Sequence, residues 1–289
     1  MEKIDGNLIF KYNCNYEDLD NFVNKLDRDK LCFYFDNNRK FFKEENNVYE
    51  ELVGSKIAKY LGIRCVNYDL ANVVFKDRKV SGVISDNFIE DGYRIVSFKE
   101  IFDDYFSKCE DYLLDDFYND MSLEFIWKVL DDRYRDYKDC DKIVAKIMDE
   151  MVNYFLLDIL IGNIDNGKYN YGLMENYVDA KCCPYYDFEY IFMFSRTSFT
   201  VEYDDNNDVL GVIIKFLNVS DRLFVDRFIR MHDMLTPSKL EELFIEIEDD
   251  IDSKLPDNFK NISYLAYSRF YYILDEILSD YRDVNFIKK

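Results

Sequence analysis

GNIDNGKYNYGLMENYVDAKCCPYYD, residues 162–187, is the stretch on which the reading of the fold turns. It holds Asp165, then Asn170, then a second aspartate, Asp187, behind Pro184-Tyr185-Tyr186. Phosphoryl transfer from ATP draws on such a set. One carboxylate orients the attacking hydroxyl, while a carboxamide and another carboxylate hold the Mg2+ that bridges the phosphates. Asn166-Gly167 is also a plain two-residue turn signal, so the assignment has to rest on the flanks and on the rest of the chain.

Ahead of this stretch, Ile143, Ile147, Met151, Phe155, Leu156, Ile159 and Leu160 recur at helical spacing. They predict a buried helix that delivers Asp165 at its end. Behind Asp165, residues 171–174 and 183–186 read as the two strands of a short hairpin.

Toward the N-terminus, residues 7–12 read as a strand and 16–26 as a short acidic helix. Residues 31–36 and 39–43 read as a hairpin across Asn37-Asn38, and Lys43 closes its second strand. A helix over 47–61 follows, with Val53, Ile57, Tyr60 and Leu61 on one face and Gly62 as its stop. Glu50 and Glu51 stand near its start. By helical angle Glu50 falls within the apolar face and Glu51 beside it. An inward carboxylate needs a cation, and Lys43 is the nearest in sequence. Either glutamate also suits the positive end of the helix dipole.

Two more strands, 68–75 and 79–85, precede a polar crossing around residues 86–90. Residues 97–150 read as helices whose acidic doublets, such as Asp103-Asp104 and Asp131-Asp132, are solvated faces. Residues 198–203 and 209–216 read as a hairpin. Its turn fails as a calcium loop, because Val209 stands at the glycine position and Lys215 at the closing glutamate. Helices over 221–234 and 259–281 follow, with a further helix between them capped by Thr236-Pro237. His232 is the single histidine and lies far from any nucleophile pattern. That removes a Ser-His-Asp mechanism and a histidine-rich zinc site.

A chain of 289 residues with 48% hydrophobic content has the length and composition for a core divided between two lobes. The net charge of −21 argues against direct nucleic-acid binding and against an anionic membrane surface, since both need clustered Lys and Arg. Seven scattered cysteines, with no C-x-x-C pair, fit a reducing compartment without a disulfide framework. The opening MEKIDGNLIF does not read as a signal peptide, so a cytoplasmic location is expected.

The order is lysine on a strand, glutamate on the next helix, a polar crossing, helices, Asp-x4-Asn, then Asp on a strand. It is the order of parts in a protein kinase. The local wording is closer to one branch. YEELVGSKIAKYLGI (49–63) resembles the corresponding helix of HipA-like serine/threonine kinases, and GVISDNF (82–88) that family's strand and interlobe hinge. LIGNIDNGKYNYGLM (160–174) and PYYDF (184–188) look like its catalytic loop and metal-binding segment.

The resemblance implies an α+β, two-lobed protein-kinase-like fold. Residues 1–88 would form a small antiparallel-sheet lobe with one main helix, and 89–289 a larger, mostly helical lobe. It makes Asp165 the catalytic base, Asn170 and Asp187 the Mg2+ ligands, and Lys43 the phosphate-contacting lysine. Glu51 becomes the partner of Lys43 by alignment, whereas the angle argument favours Glu50. Asp86 and Phe88 would meet the adenine, mostly through backbone groups. ATP and Mg2+ are the implied cofactors, and a serine or threonine of an unidentified protein the implied acceptor. Three departures stand out: Gly167 where the family has histidine, Glu189 where many kinases have glycine, and no glycine-rich loop before Lys43. They leave a pseudokinase, a nucleotide- or partner-binding regulatory module, as the alternative.

Overall fold

The computed structural model describes residues 2–4, 7–11, 30–35, 38–44, 47–75, 78–108, 123–163, 171–192 and 222–283. The first sheet contains β1 (Glu2–Ile4), β2 (Asn7–Lys11), β3 (Lys30–Phe35), β4 (Asn38–Glu44), β5 (Asp69–Phe75) and β6 (Arg78–Asp86). Its strand order is β1-β2-β5-β6-β4-β3. Every pairing is antiparallel except β2 with β5, which the chain reaches only after β3, β4 and a helix. Opposite Lys43 in β4 lies Val83 of β6, and opposite Phe41 lies Ser85.

That helix, α1 (Val48–Tyr60), packs on β5 and β6. Gly62 ends it with φ +74°, as its position after the apolar run predicts. Of the crossing expected around residues 86–90, Asp86 still belongs to β6, and residues 87–93 hold no helix or strand. A second sheet of β7 (Arg94–Ser97), β8 (Gly172–Glu175) and β9 (Ala180–Cys182) is wholly antiparallel.

The remaining described elements are helices: α2 (Phe98–Ser107), α3 (Leu123–Tyr134), α4 (Cys140–Ile161), α5 (Arg222–Met234), α6 (Pro237–Ile251) and α7 (Asp257–Asp283). Ser97 begins α2 with a capping box, its hydroxyl accepting from the Glu100 N–H. Thr236 caps α6 through the Lys239 N–H, with Pro237 in the first turn, where a missing N–H costs nothing. The buried face of α4 runs from Ile143 to Ile161 and includes the one acid Asp158. Gly162 then stops the helix at φ +63°. Among the described residues no helix is long and apolar enough to cross a membrane.

One strand is placed differently from the sequence reading. The partner of β8 is Ala180–Cys182, not residues 183–186. The Cys183 N–H still reaches the Gly172 carbonyl at 2.8 Å. Pro184 has no N–H to extend the ladder. The chain departs there and Tyr185 pairs instead with Cys65, its N–H on the Arg64 carbonyl at 2.9 Å. The acidic helix over 16–26 and the hairpin over 198–216 lie outside the described residues.

The helix α1 is also moored to the C-terminal helices. Lys56 reaches Asp250 and Glu246 of α6 at 2.8 and 3.3 Å. The Tyr60 hydroxyl donates to the Met234 carbonyl at 3.2 Å, and Tyr49 meets the Phe259 ring at 5.8 Å. The doublets at Asp103-Asp104 and Asp131-Asp132 serve ion pairs: Asp103 to Lys99, Asp104 to Arg133, and Asp132 to Lys108 and Arg135. His232 is fully buried, stacks on Tyr271 at 4.1 Å and faces that residue's carbonyl. Burial pushes its pKa down, so it is a neutral core residue.

Candidate active site

Lys43 projects from β4 into the space between the first sheet and the segment after β9. Its ammonium lies 2.7 Å from Glu51 Oε1, 2.7 Å from Asp187 Oδ1 and 3.5 Å from Glu189 Oε2. Burial alone would lower the pKa of this amine, but the charges of Glu51 and Asp187 outweigh it and raise the pKa above the ordinary lysine value. Lys43 is a fixed cation.

Glu51, with 0% exposure, is the hub of this arrangement. Its second oxygen accepts the Phe188 N–H at 3.0 Å, so one carboxylate ties β4, α1 and the Asp187 segment together. Burial pushes its pKa up, and Lys43 together with the Phe188 N–H works against that rise. The partner of Lys43 is therefore Glu51 rather than Glu50, against the angle argument. The reason lies in the composition of the inner face of α1. Glu51, Gly54, Ser55 and Ala58 are all buried at helical spacing. Small residues on that face carry little apolar signal, so periodicity drawn from Val53, Ile57, Tyr60 and Leu61 points a step to one side.

The small face serves a purpose. Phe188 is fully buried against it, and a Cβ on Gly54 would lie 2.3 Å from the Phe188 Cδ1. Asp187 itself has φ +74°, a left-handed conformation rare for a residue with a side chain. Its carbonyl accepts from Asn163 Nδ2 at 3.1 Å, and the Asn47 side chain holds the Glu189 carbonyl at 3.3 Å. Asp187 thus sits on an irregular, heavily fastened segment rather than on a strand.

Beside Lys43 lies an apolar pocket lined by Phe41, Val66, Ser85, Phe88 and Tyr186, among others. Phe88 contacts Phe41 at 5.6 Å and stacks near-parallel on Tyr186 at 6.3 Å. The Asp86 side chain is 79% exposed and pairs with Lys40, outside the pocket lining, whereas the adenine contact implied for this residue is one of backbone groups. Phe41, Tyr186 and Asn163 are not singled out by the sequence, and Glu189 stands out there only as a departure from the kinase pattern. Phe41 was within reach, because it stands two residues before Lys43 and strand alternation puts both on one face. Asp165 and Asn170 lie outside the described residues. The structure therefore brings Lys43, Glu51 and Asp187 together, with Phe88 in the adjoining pocket.

A paired lysine and glutamate between a small sheet and a mostly helical body, with an aspartate on the facing segment, define a two-lobed protein-kinase-like fold. The structure of the proinflammatory kinase CtkA of Helicobacter pylori is similar to it, with a TM-score of 0.57 at 16% identity over 94% of both chains. So is HipA of the Shewanella oneidensis MR-1 toxin–antitoxin system, solved with HipB and operator DNA, with a TM-score of 0.52 at 12% identity. That match covers 85% of this chain and 63% of the other. The chain has a HipA-like kinase fold. No family model matches the sequence, and no curated protein does.

Proposed function

We propose that this chain binds Mg-ATP between its lobes and transfers the γ-phosphate to a hydroxyl, a serine or threonine of a protein. One observation carries the reading: Lys43 is held at 2.7 Å by both Glu51 and Asp187 beside an apolar pocket lined with aromatic rings. The kinase named among its structural neighbours supports it at the level of fold.

The purine would enter between Phe41, Phe88 and Tyr186, where aromatic faces and exclusion of water favour a flat ring. Lys43 would give its N–H bonds to phosphate oxygens, and Glu51 would keep the amine in place as the nucleotide takes over part of its coordination. The Asp187 carboxylate is a hard oxygen donor at the cleft, 14% exposed, and fits a divalent cation, with Asn170 as its expected companion. Magnesium bound there would supply charge neutralisation on the phosphates. The acceptor oxygen would form the new P–O bond as the bond to the β-phosphate oxygen breaks and ADP leaves. The hydroxyl proton would pass to Asp165.

The test is γ-phosphate transfer to a protein or to the chain itself, compared with Asp165→Asn and Asp187→Asn. Loss in both variants supports the reading, and activity that survives both defeats it. The pseudokinase reading has one observation of its own, the Glu189 carboxylate 3.5 Å from Lys43 at the phosphate side of the cleft. A thermal shift with Mg-ATP but no transfer would favour that reading, and no shift at any Mg2+ concentration would count against both. We expect the substrate to be a basic rather than an acidic protein surface, given the net charge of −21. The cysteines fit a reducing, cytoplasmic setting.

A further inference from the structure

Asp158 is a carboxylate within the buried face of α4, and the kinase chemistry above makes no use of it. Its two oxygens accept from two tyrosine hydroxyls, Tyr185 on Oδ1 and Tyr171 on Oδ2. Tyr185 in turn accepts from Asn163 Nδ2 at 2.9 Å, and the same nitrogen donates to the Asp187 carbonyl at 3.1 Å. A continuous line of hydrogen bonds therefore runs from the last turn of α4 to the backbone of Asp187.

The line has a direction. A tyrosine hydroxyl owns one proton, and Tyr185 gives it to Asp158, which as a carboxylate only accepts. Tyr185 must then accept from Asn163, which turns the NH2 end of that amide toward both Tyr185 and the Asp187 carbonyl. Reversing the first bond reverses the rest: the Asn163 carbonyl would turn toward the Asp187 carbonyl and repel it. Asp187 is the residue with φ +74°, so its carbonyl anchor bears on whether that conformation persists. Both Asn163 and Tyr185 are buried, which shields the line from competing water.

We infer that Asp158, Tyr185 and Asn163 are positioning residues that fix the left-handed turn at Asp187, and so set how well its carboxylate takes a divalent cation. The metal half of this inference rests on the proposed Mg-ATP function. The conformational half does not.

The experiment compares Tyr185→Phe and Asp158→Asn with Tyr154→Phe. The control also removes a buried hydroxyl, one that bonds the Cys183 carbonyl at 2.9 Å outside the line. Asp158→Asn keeps the shape but lets the amide donate to Tyr185. Amide hydrogen exchange at Phe188, whose N–H is bonded to Glu51, reads the turn without any ligand. We expect both test variants to exchange there about 10-fold faster than the control, at similar melting temperature. They should also need about 10-fold more Mg2+ for half-saturation of ATP binding, with Mg2+-free ATP binding unchanged. Phe188 exchange in both variants equal to that in Tyr154→Phe overturns the inference. A wild-type protein that binds no Mg-ATP overturns the proposed function instead, and the exchange comparison still decides the positioning role.

Discussion

Gly54 of α1 and Phe188 of the Asp187 segment touch so closely that no side chain fits between them, the position of a Cβ on Gly54 being 2.3 Å from the phenyl ring. Alanine in a helix is worth about 1 kcal/mol over glycine, whereas overpacking a buried contact costs about 1–3 kcal/mol. Here the ring is fully buried and has little room to yield. Gly54→Ala is therefore expected to destabilise the protein by about 1–2 kcal/mol in urea denaturation and to weaken nucleotide binding. A Gly54→Ala variant more stable than the wild type would show that helix propensity wins and that the contact is loose.

Removal of Lys43 leaves Glu51 buried with its charge unmatched. Lys43→Met is expected to cost about 3–5 kcal/mol, and Lys43→Met combined with Glu51→Gln less than that single change. The pH dependence has a definite sign. The Glu51 pKa is raised by burial, and without Lys43 it rises further above its ordinary value of 4.5. A folded state that holds its proton more tightly loses stability as pH rises above that value. Lys43→Met should accordingly recover stability as the buffer is taken from pH 7 toward 5, relative to wild type. Parallel stability curves for the two proteins would refute the stranded-charge account.

Glu189 adds a third carboxylate to a lysine that already has two, at 3.5 Å and with 26% of its side chain exposed. On the proposed function, incoming phosphates would meet that charge. Glu189→Gln is expected to tighten ATP binding about 5-fold in calorimetry, with the gain shrinking at high salt. Weaker binding in Glu189→Gln would mean that this carboxylate helps to hold the cation rather than opposing the nucleotide.

Away from the cleft, Glu248 joins the end of α6 to the start of α7. Burial would raise its pKa, but bonds from Lys254 at 2.7 Å, Lys260 at 2.6 Å and the Leu255 N–H hold it down to about 2. A depressed carboxylate contributes stability above its unfolded pKa of about 4.5, and that contribution is lost as pH falls toward about 2. Glu248→Gln should flatten acid unfolding across that window and cost about 1 kcal/mol at neutral pH. An unchanged acid transition in Glu248→Gln would count against these bonds.

Much of this architecture was legible in the sequence, because its signals are local. The apolar repeat from Ile143 to Leu160 gave α4, Thr236-Pro237 gave the start of α6, and the lysine-then-glutamate order pointed to β4 and α1. Other features depend on what meets what across the fold, and periodicity is blind to that. Helical angle favours Glu50 over Glu51, against the alignment, because a face of Gly54, Ser55 and Ala58 looks empty until Phe188 fills it. The second strand beside β8 was set too late in the chain because the pull of Cys65 on Tyr185 is non-local. In the sequence Asp158 is only a charged residue within an apolar run. Its role at Tyr171 and Tyr185 needs three distant segments at once.

The mooring of α1 to α6 has a mechanical corollary. The helix that carries Glu51 belongs by sequence to the smaller half, yet it is tethered by Lys56, Tyr60 and Tyr49 to the larger one. A strut of this kind resists a clamshell motion, since spreading the jaws would tear it from one side or the other. On the proposed function, admission and release of a nucleotide would then depend on side chains that line the pocket, Phe88 and Tyr186 among them, rather than on rotation of whole halves. Small-angle scattering profiles with and without Mg-ATP should superimpose.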